Sequence, residues 1–309
     1  MPSRGLSQPK ARPRHGSGRR TSRVEARSDT APVTTKLPPP LPAQRHDATR
    51  PSPARILFDQ AENYDSSSAT QQTQGERLLG MVALRRGERV LDVGCGNGAL
   101  TLRMARAAPG LVVHAMDISP TTVALAARHG AEAGASNVTF ETGDVLALAA
   151  QRSYDVVFSN AAMHWVLPPK TGYRKLHDAL AGGGRLAVHQ GGHGTYRGLH
   201  QCALDLGAKL GLTKHFAGWT YPAYYPSAEE LAALLADVGF AHVAVQSRES
   251  DGREHSTLVR DFSNAGLLPF LARLPAACRE QFKRDFVQAG ERDKVDLYTH
   301  RLLAFGRRP

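Results

Sequence analysis

Three glycines at alternate positions behind an acid mark the stretch of this chain most suited to chemistry. In VLDVGCGNGALT, residues 90–101, a short apolar run carries Asp92 and then breaks into Gly94, Gly96 and Gly98. Glycine permits positive φ and close approach of the backbone to a ligand. A helix that follows such a turn presents N–H groups at its start. The spacing is G-x-G-x-G with Ala99 next, not the G-x-G-x-x-G of dinucleotide folds, and an acid beside an anion cradle would repel a diphosphate. A carboxylate plus an ammonium is the better fit, with Asp92 holding the amino group directly or through water. Asp117 ends the next apolar run, where a carboxylate can accept both hydroxyls of a ribose, and Gly143-Asp144-Val145 follows the third, where a carboxylate can accept from an adenine amino group. An amino-acid site, a ribose site and an adenine site in that order match the three parts of S-adenosylmethionine.

The elements that must position these residues follow from periodicity. Short apolar runs at 90–93, 111–116, 138–141, 155–159 and 185–189 alternate with helical segments at 69–84, 97–107, 119–133 and 171–180. Ser119-Pro120 has the pattern of an N-cap followed by proline at the first helical position, and the glycines at 182–184 are expected to stop the helix before the fifth strand. Strands alternating with helices imply a parallel sheet covered on both faces, with ligands outside the carboxyl ends of the strands. The second half contains the Gly-rich hinge GGHGTYRG at 191–198, a helix at 199–210, the aromatic loop FAGWTYPAYYP at 216–226, a helix capped by Ser227, a strand at 240–247, two or three helical segments between 256 and 289, and a last strand at 296–308.

VLDVGCGNG, AMDIS, GDVLAL and YDVVFSNAAMHWV are similar to the successive motifs of the class I S-adenosylmethionine-dependent methyltransferases over residues 60–190. The resemblance implies an α/β, Rossmann-like, doubly wound sheet of seven strands, mostly parallel with an antiparallel last strand, carrying helical lid insertions near 191–226 and 251–292. It implies S-adenosylmethionine as cofactor, bound by Asp92, Gly94, Gly96, Gly98, Asp117, Ile118, Asp144, Val145 and Asn160. ENYDSSSATQQTQGERLL, the His164-Trp165 pair, YPSAEELAALLADVGF and LYTHRLLAF together resemble the branch of trans-aconitate and juvenile hormone acid methyltransferases. In that branch a glutamine of the N-terminal helix and a tryptophan after the fourth strand position the acceptor carboxyl. These fall on Gln71, with Gln72 as its neighbour, and on Trp165, whose other reading is core packing.

The expected reaction is O-methylation of a small carboxylic acid. A carboxylate is ionised near pH 7 and needs placement rather than a general base. Hydroxyl or carbon methylation of a small natural product is the alternative, with His164 as base. A histidine on the surface or flanking the cofactor is the plainer reading of His164. A further alternative is a cofactor-binding partner without turnover. Asn160 is followed by Ala161, Ala162 and Met163, not by the Pro-Pro-aromatic clamp of adenine amino-methylating enzymes. Trp219, Tyr221, Tyr224 and Tyr225 are candidates for the substrate wall or for a cover over the sheet edge, and Arg197 or Arg260 for pairing with an acceptor carboxylate. His189, His193 and His200 span a strand, a hinge and a helix with no acid to complete a triad, so no metal is expected.

The chain has 309 residues and a net charge of +11, but the charge is uneven. Residues 1–55 carry ten Arg and two Lys against Glu25, Asp29 and Asp47, while 56–309 carry 27 basic and 25 acidic residues. The basic segment is rich in Pro, Ser and Arg and has no periodicity, so it reads as a disordered tail or a cleaved organellar transit peptide ahead of a methyltransferase domain at 56–309. Near neutrality of that domain argues against a nucleic-acid substrate. Three scattered cysteines (Cys95, Cys202, Cys278) form no disulfide framework and fit a reducing, cytoplasmic setting. No apolar run approaches the ~18–20 residues of a membrane span. The sequence leaves the oligomeric state open.

Overall fold

The computed structural model describes residues 68–149, 151–249, 255–293 and 295–309; the basic tail expected at 1–55 lies outside the described residues. The first half alternates helix and strand: α1 (Ser68–Val82), β1 (Arg89–Val93), α2 (Ala99–Ala105), β2 (Val112–Asp117), α3 (Pro120–Glu132), β3 (Val138–Thr142), β4 (Tyr154–Asn160), α4 (Pro169–Ala179) and β5 (Leu180–Gly191). The second half contributes α5 (Arg197–Lys209), α6 (Ala228–Val238), β6 (Ala241–Glu249), α7 (His255–Asp261), a π-turn (Phe262–Gly266), α8 (Leu268–Arg273), α9 (Ala276–Arg292) and β7 (His300–Arg307). The seven strands form one sheet in the order β3-β2-β1-β4-β5-β7-β6. β1 to β5 are mutually parallel, and β7 lies antiparallel to both β5 and β6. This is the doubly wound sheet with a reversed last strand that the motifs imply.

Central strands buried on both faces read as unbroken apolar runs, because successive side chains enter different cores. Leu91 and Val93 of β1, Val157 of β4 and Leu186 and Val188 of β5 pack with α4 and α6 on one face. Val90, Val156, Phe158, Ala187 and Leu303 pack with α1 and α2 on the other. A third cluster belongs to the second half alone: Phe262, Phe270, Phe282 and Phe286 close on Leu199, Ala203 and Phe216. The insertions therefore have a core of their own beside the sheet. Among the described residues no helix is long and apolar enough to cross a membrane.

Capping chemistry sets several boundaries. Ser119 Oγ accepts from Thr122 N, with Pro120 first in α3, as the Ser-Pro pair predicts. Ser227 and Glu230 form a reciprocal capping box at the start of α6. The glycines at 182–184 act differently from expectation. α4 already ends at Ala179, and β5 runs through the glycines as an irregularity: Tyr154 pairs with Leu180, but Val156 pairs with Arg185. Arg308 supplies the stop instead, donating to the carbonyls of His177, Asp178 and Leu180 at 3.1, 2.9 and 2.7 Å. The last strand begins at His300, four residues later than the apolar pattern predicts.

Candidate active site

The glycine loop leaves the end of β1 and is fastened to β2 by its backbone. Gly94 N and Cys95 N both donate to Met116 O, at 2.8 and 3.0 Å. Gly96 N donates to Asp117 Oδ2 and Ser119 N to Asp117 Oδ1, each at 3.0 Å. Asp117 thus orders the loop and the start of α3 at once, and ionised carboxylate oxygens have lone pairs left after one bond each. Gly94, Gly96 and Gly98 have φ of 74°, 55° and 81°, the left-handed region that a side chain resists. At Gly94 the restriction is also spatial: a Cβ there would lie 2.2 Å from Ala162 Cβ. The helix behind the loop contributes little, since α2 is only seven residues long and Asn97 Oδ1 already takes Ala99 N.

Asp92 is 2% exposed and accepts 2.6 Å from Thr101 Oγ1. Burial pushes its carboxyl up to about 7, the Thr101 bond pulls it back, and the Asp117 charge adds to the rise. Burial likewise raises Asp117, against the backbone N–H bonds of Ser119, Gly96 and Ile118. No basic side chain lowers either group. Two desolvated acids under a glycine turn form a site whose charge calls for a cation. Asp144 caps the 3₁₀ turn Val145–Ala147 by accepting from Leu146 N at 2.9 Å, which directs the chain after β3 across the same end of the sheet, while Val145 itself is buried in the main core. Ile118 sits half-buried between the Asp117 anchor and Ser119.

Beyond β4 the chain turns sharply into a second compartment. Ala161 has φ of 59°, unusual for a residue with a Cβ, and its N–H donates to His189 O at 2.8 Å. Ala162 packs on Gly94, and Ala161 borders a cavity of about 50 Å³. The glycine loop and the cavity therefore abut at this dipeptide. His164 and Trp165, in the 3₁₀ turn Met163–Trp165, line the cavity, as do Gln74 of α1, His189 of β5 and Tyr196 before α5. Tyr225, the π-turn residues Phe262, Ala265 and Gly266, Asp261 and Arg301 of β7 close it. Arg301 Nη2 donates to Tyr196 OH at 2.5 Å, and the guanidinium lies 5.0 Å from the Tyr196 ring centre. Tyr196 is held at φ 61° with its N–H on Tyr298 O, so a strained residue places this hydroxyl.

The cavity imidazoles are neutral. Burial, reinforced by the Arg301 charge, pushes His164 down to about 3 and His189 well below its usual range. His189 Nδ1 lies 2.7 Å from Asn160 Oδ1, which ties the end of β4 to β5. His164 is not a surface histidine: it is 8% exposed, its ring lies between Trp165 and Tyr225, and its carbonyl accepts from Tyr224 N.

The residues singled out by sequence divide clearly. Trp165 lines the cavity and also packs on Tyr221. Gln71 lies in α1 one turn before Gln74, and its side chain lies outside the described residues. Of the aromatic loop, Tyr225 reaches the cavity, whereas Trp219 packs on Phe216 and Phe270 and Tyr221 donates to Gly266 O in the lid. Arg197 and Arg260 do not reach it: they form exposed ion pairs with Asp296 and Glu291. The arginine that lines the cavity is Arg301. Its signal in the sequence is a lone charge leading the apolar run Leu302–Phe305, opposite Gly191 at the carboxyl end of β5. Among the described residues no group of three or more His, Cys, Asp or Glu could hold a metal ion.

Strand order, reversed β7 and a glycine loop tied to an acid at the end of β2 give the doubly wound, Rossmann-like sheet that the sequence motifs imply. Residues 84–205 match the family model of a methyltransferase domain. It is 42% identical over 111 residues to trans-aconitate 2-methyltransferase of Mycobacterium tuberculosis, covering 36% of this chain and 40% of that protein. It is 29% identical over 177 residues to malonyl-[acyl-carrier protein] O-methyltransferase of Priestia megaterium, covering 56% and 62%. The chain thus spans less than two thirds of the length of either relative. Among solved structures, a Haemonchus contortus phosphoethanolamine N-methyltransferase 2 in complex with S-adenosyl-L-methionine aligns with a TM-score of 0.57 at 18% identity, over 83% of this chain and 60% of that one. The [4+2]-cyclase SpnF aligns at 0.54 and 20% identity, over 78% and 82%. These likenesses establish the fold; the cavity must argue the reaction.

Proposed function

We propose that the protein methylates a carboxylate oxygen of a small acid, using S-adenosylmethionine. The observation that carries this reading is Arg301, a permanent cation in a small aromatic and imidazole-lined cavity that abuts the glycine loop. The buried acids fit the cofactor: Asp92 and the turn of Gly94, Gly96 and Gly98 would take its cationic amino-acid end, Asp117 and Ile118 its ribose, and Asp144, Val145 and Asn160 the adenine side and the junction. When bound, S-adenosylmethionine supplies an electrophilic methyl group on a positively charged sulfur.

The chain's own residues do the rest. Arg301 holds the acceptor anion, and a guanidinium suits a carboxylate through paired N–H donors. Trp165, Tyr225 and Phe262 exclude water, which strengthens that pairing and frees the nucleophilic oxygen of its hydration. No proton has to move, because the acceptor is already ionised at neutral pH. His164, held neutral with a pKa of about 3, is a poor base for a hydroxyl, and this weighs against the alcohol or phenol reading. A formed acceptor compartment weighs against a partner protein without turnover. The names of the trans-aconitate and malonyl-carrier relatives point to acids as well.

The test is transfer of labelled methyl from S-adenosylmethionine to a panel of small acids, phenols and amines. Label released by mild base from acids alone is expected. Label found only on phenols or amines would remove the carboxylate assignment, and cofactor binding with no transfer to any class would remove the enzymatic one.

A further inference from the structure

The cavity holds more polar capacity than a lone carboxylate would use. His189 is 2% exposed, lines the cavity, and has its Nδ1 on Asn160 Oδ1. An amide oxygen can only accept, so Nδ1 carries the proton of the neutral ring and Nε2 carries the lone pair. Nε2 is buried with no hydrogen-bond partner, and so is Nδ1 of His164 across the same cavity. A buried acceptor without a donor destabilises the cavity, and a ligand that donates would recover that loss. A neutral donor suits the site, because the cavity already holds both a cation, Arg301, and a carboxylate, Asp261. The donor must also be small: about 50 Å³ holds only a few water-sized groups beside the acceptor's carboxylate.

We infer that His189 is a specificity-determining positioning residue, and that the acceptor is a hydroxy acid whose hydroxyl donates to His189 Nε2 while its carboxylate meets Arg301. This inference rests on the carboxylate reading above and narrows it. Two anchors fix a small acid better than one. A single charge pair leaves the acid free to rotate, whereas the added hydroxyl bond selects which carboxylate oxygen faces the glycine loop. His189 does not act as a base: the hydroxyl keeps its proton and the product is a hydroxy ester.

Matched small acids that differ by one hydroxyl test it, namely glycolate against acetate, lactate against propionate, and malate against succinate. With the intact chain, kcat/KM for the hydroxylated member of the accepted pair should exceed that of its partner by at least about tenfold. His189→Phe should lower the hydroxy acid more than its partner and bring the two within about twofold, and His189→Gln, which restores an acceptor oxygen, should recover part of the preference. The ratio within a pair is insensitive to any general loss of folding or cofactor affinity. Equal rates for both members in the unaltered chain, or an equal fall of both in His189→Phe, would overturn the assignment of His189. Methylation of none of these acids, with binding of none in the presence of S-adenosylhomocysteine, would instead overturn the carboxylate reading on which it rests.

Discussion

The two compartments that meet at Ala161 and Ala162 are built in opposite ways. The glycine loop is a backbone construction: its hydrogen bonds run from main-chain N–H groups to Met116 O and Asp117, within 25 residues of sequence. The cavity beside it is a side-chain construction, with contributions from α1, the turn after β4, β5, the aromatic loop, the π-turn and β7. One compartment carries two desolvated acids that no basic side chain lowers, and the other holds a cation, Arg301, together with the carboxylate of Asp261. Such a division suits a cationic donor and an anionic acceptor, each drawn to its own side before the reacting atoms meet. It also permits the second compartment to vary while the first is kept, as expected where function is grafted on a common fold.

If the division is real, damage to one side should spare the other. Arg301→Met is expected to have the largest effect, because it leaves an acceptor carboxylate desolvated and unpaired, a loss of roughly 2–5 kcal/mol. kcat/KM toward the accepted acid should fall about 10²–10³-fold, with the dissociation constant for S-adenosylmethionine changed less than about threefold. Asp117→Ala should do the reverse, weakening the cofactor by an order of magnitude or more while the acid's own KM at saturating cofactor moves little. Calorimetry and initial rates on the two variants check the pair. Tenfold loss of cofactor affinity in Arg301→Met would mean that the compartments are one energetic unit.

A smaller and sharper effect concerns Asp92. Its folded carboxyl titrates at about 7, above its ordinary 3.8, so its contribution to stability is full below about pH 4 and is lost as the pH rises through about 7. His164 has the opposite sign: held near 3 instead of 6.5, it contributes above about pH 6.5, and that contribution is lost as the pH falls toward 3. Asp92→Asn removes the first dependence and keeps an oxygen for Thr101. The melting temperatures of Asp92→Asn and the unaltered chain should coincide near pH 4. Through pH 5–7.5 the variant should pull ahead, reaching about 5 °C or more at pH 8, the scale of a few kcal/mol in a domain of this size. Parallel melting curves from pH 4 to 8 would show that Asp92 is solvated rather than buried.

The contrast also explains what could be read from sequence. The glycine loop, Asp117 and Asp144 were legible because each needs a residue type that local backbone geometry imposes: glycine for positive φ, an acid or serine at a strand end to catch N–H groups. Sheet and helices were legible because burial on two faces forces apolar runs. Arg301 was not, since nothing local distinguishes an arginine opening a last strand from a solvated one; only the register of β7 against Gly191 brings it to the active end. Arg197 and Arg260 failed for the same reason in reverse, being pulled into surface pairs by Asp296 and Glu291. In sequence His189 offered only a metal reading, with His193 and His200, because its bond to Asn160, 29 positions earlier, leaves no local signal. Three glycines at 182–184 misled because α4 is closed by Arg308, more than a hundred residues downstream.

The smallest expected effect comes from the largest concentration of charge. Residues 1–55 carry most of the net charge. On the proposed reading a small acid would be held by Arg301 through short-range pairing in a desolvated cavity, and salt screens such a contact weakly. Counterion release from a polyanion would instead make activity fall steeply with salt. Removal of residues 1–55 should therefore change kcat/KM toward the accepted acid by less than about twofold, at both 50 and 300 mM salt. A loss of tenfold or more, with a steep salt slope in the full chain that vanishes on truncation, would shift the acceptor from a small acid to a nucleic acid or an acidic carrier, and would make the basic segment a third compartment of the site.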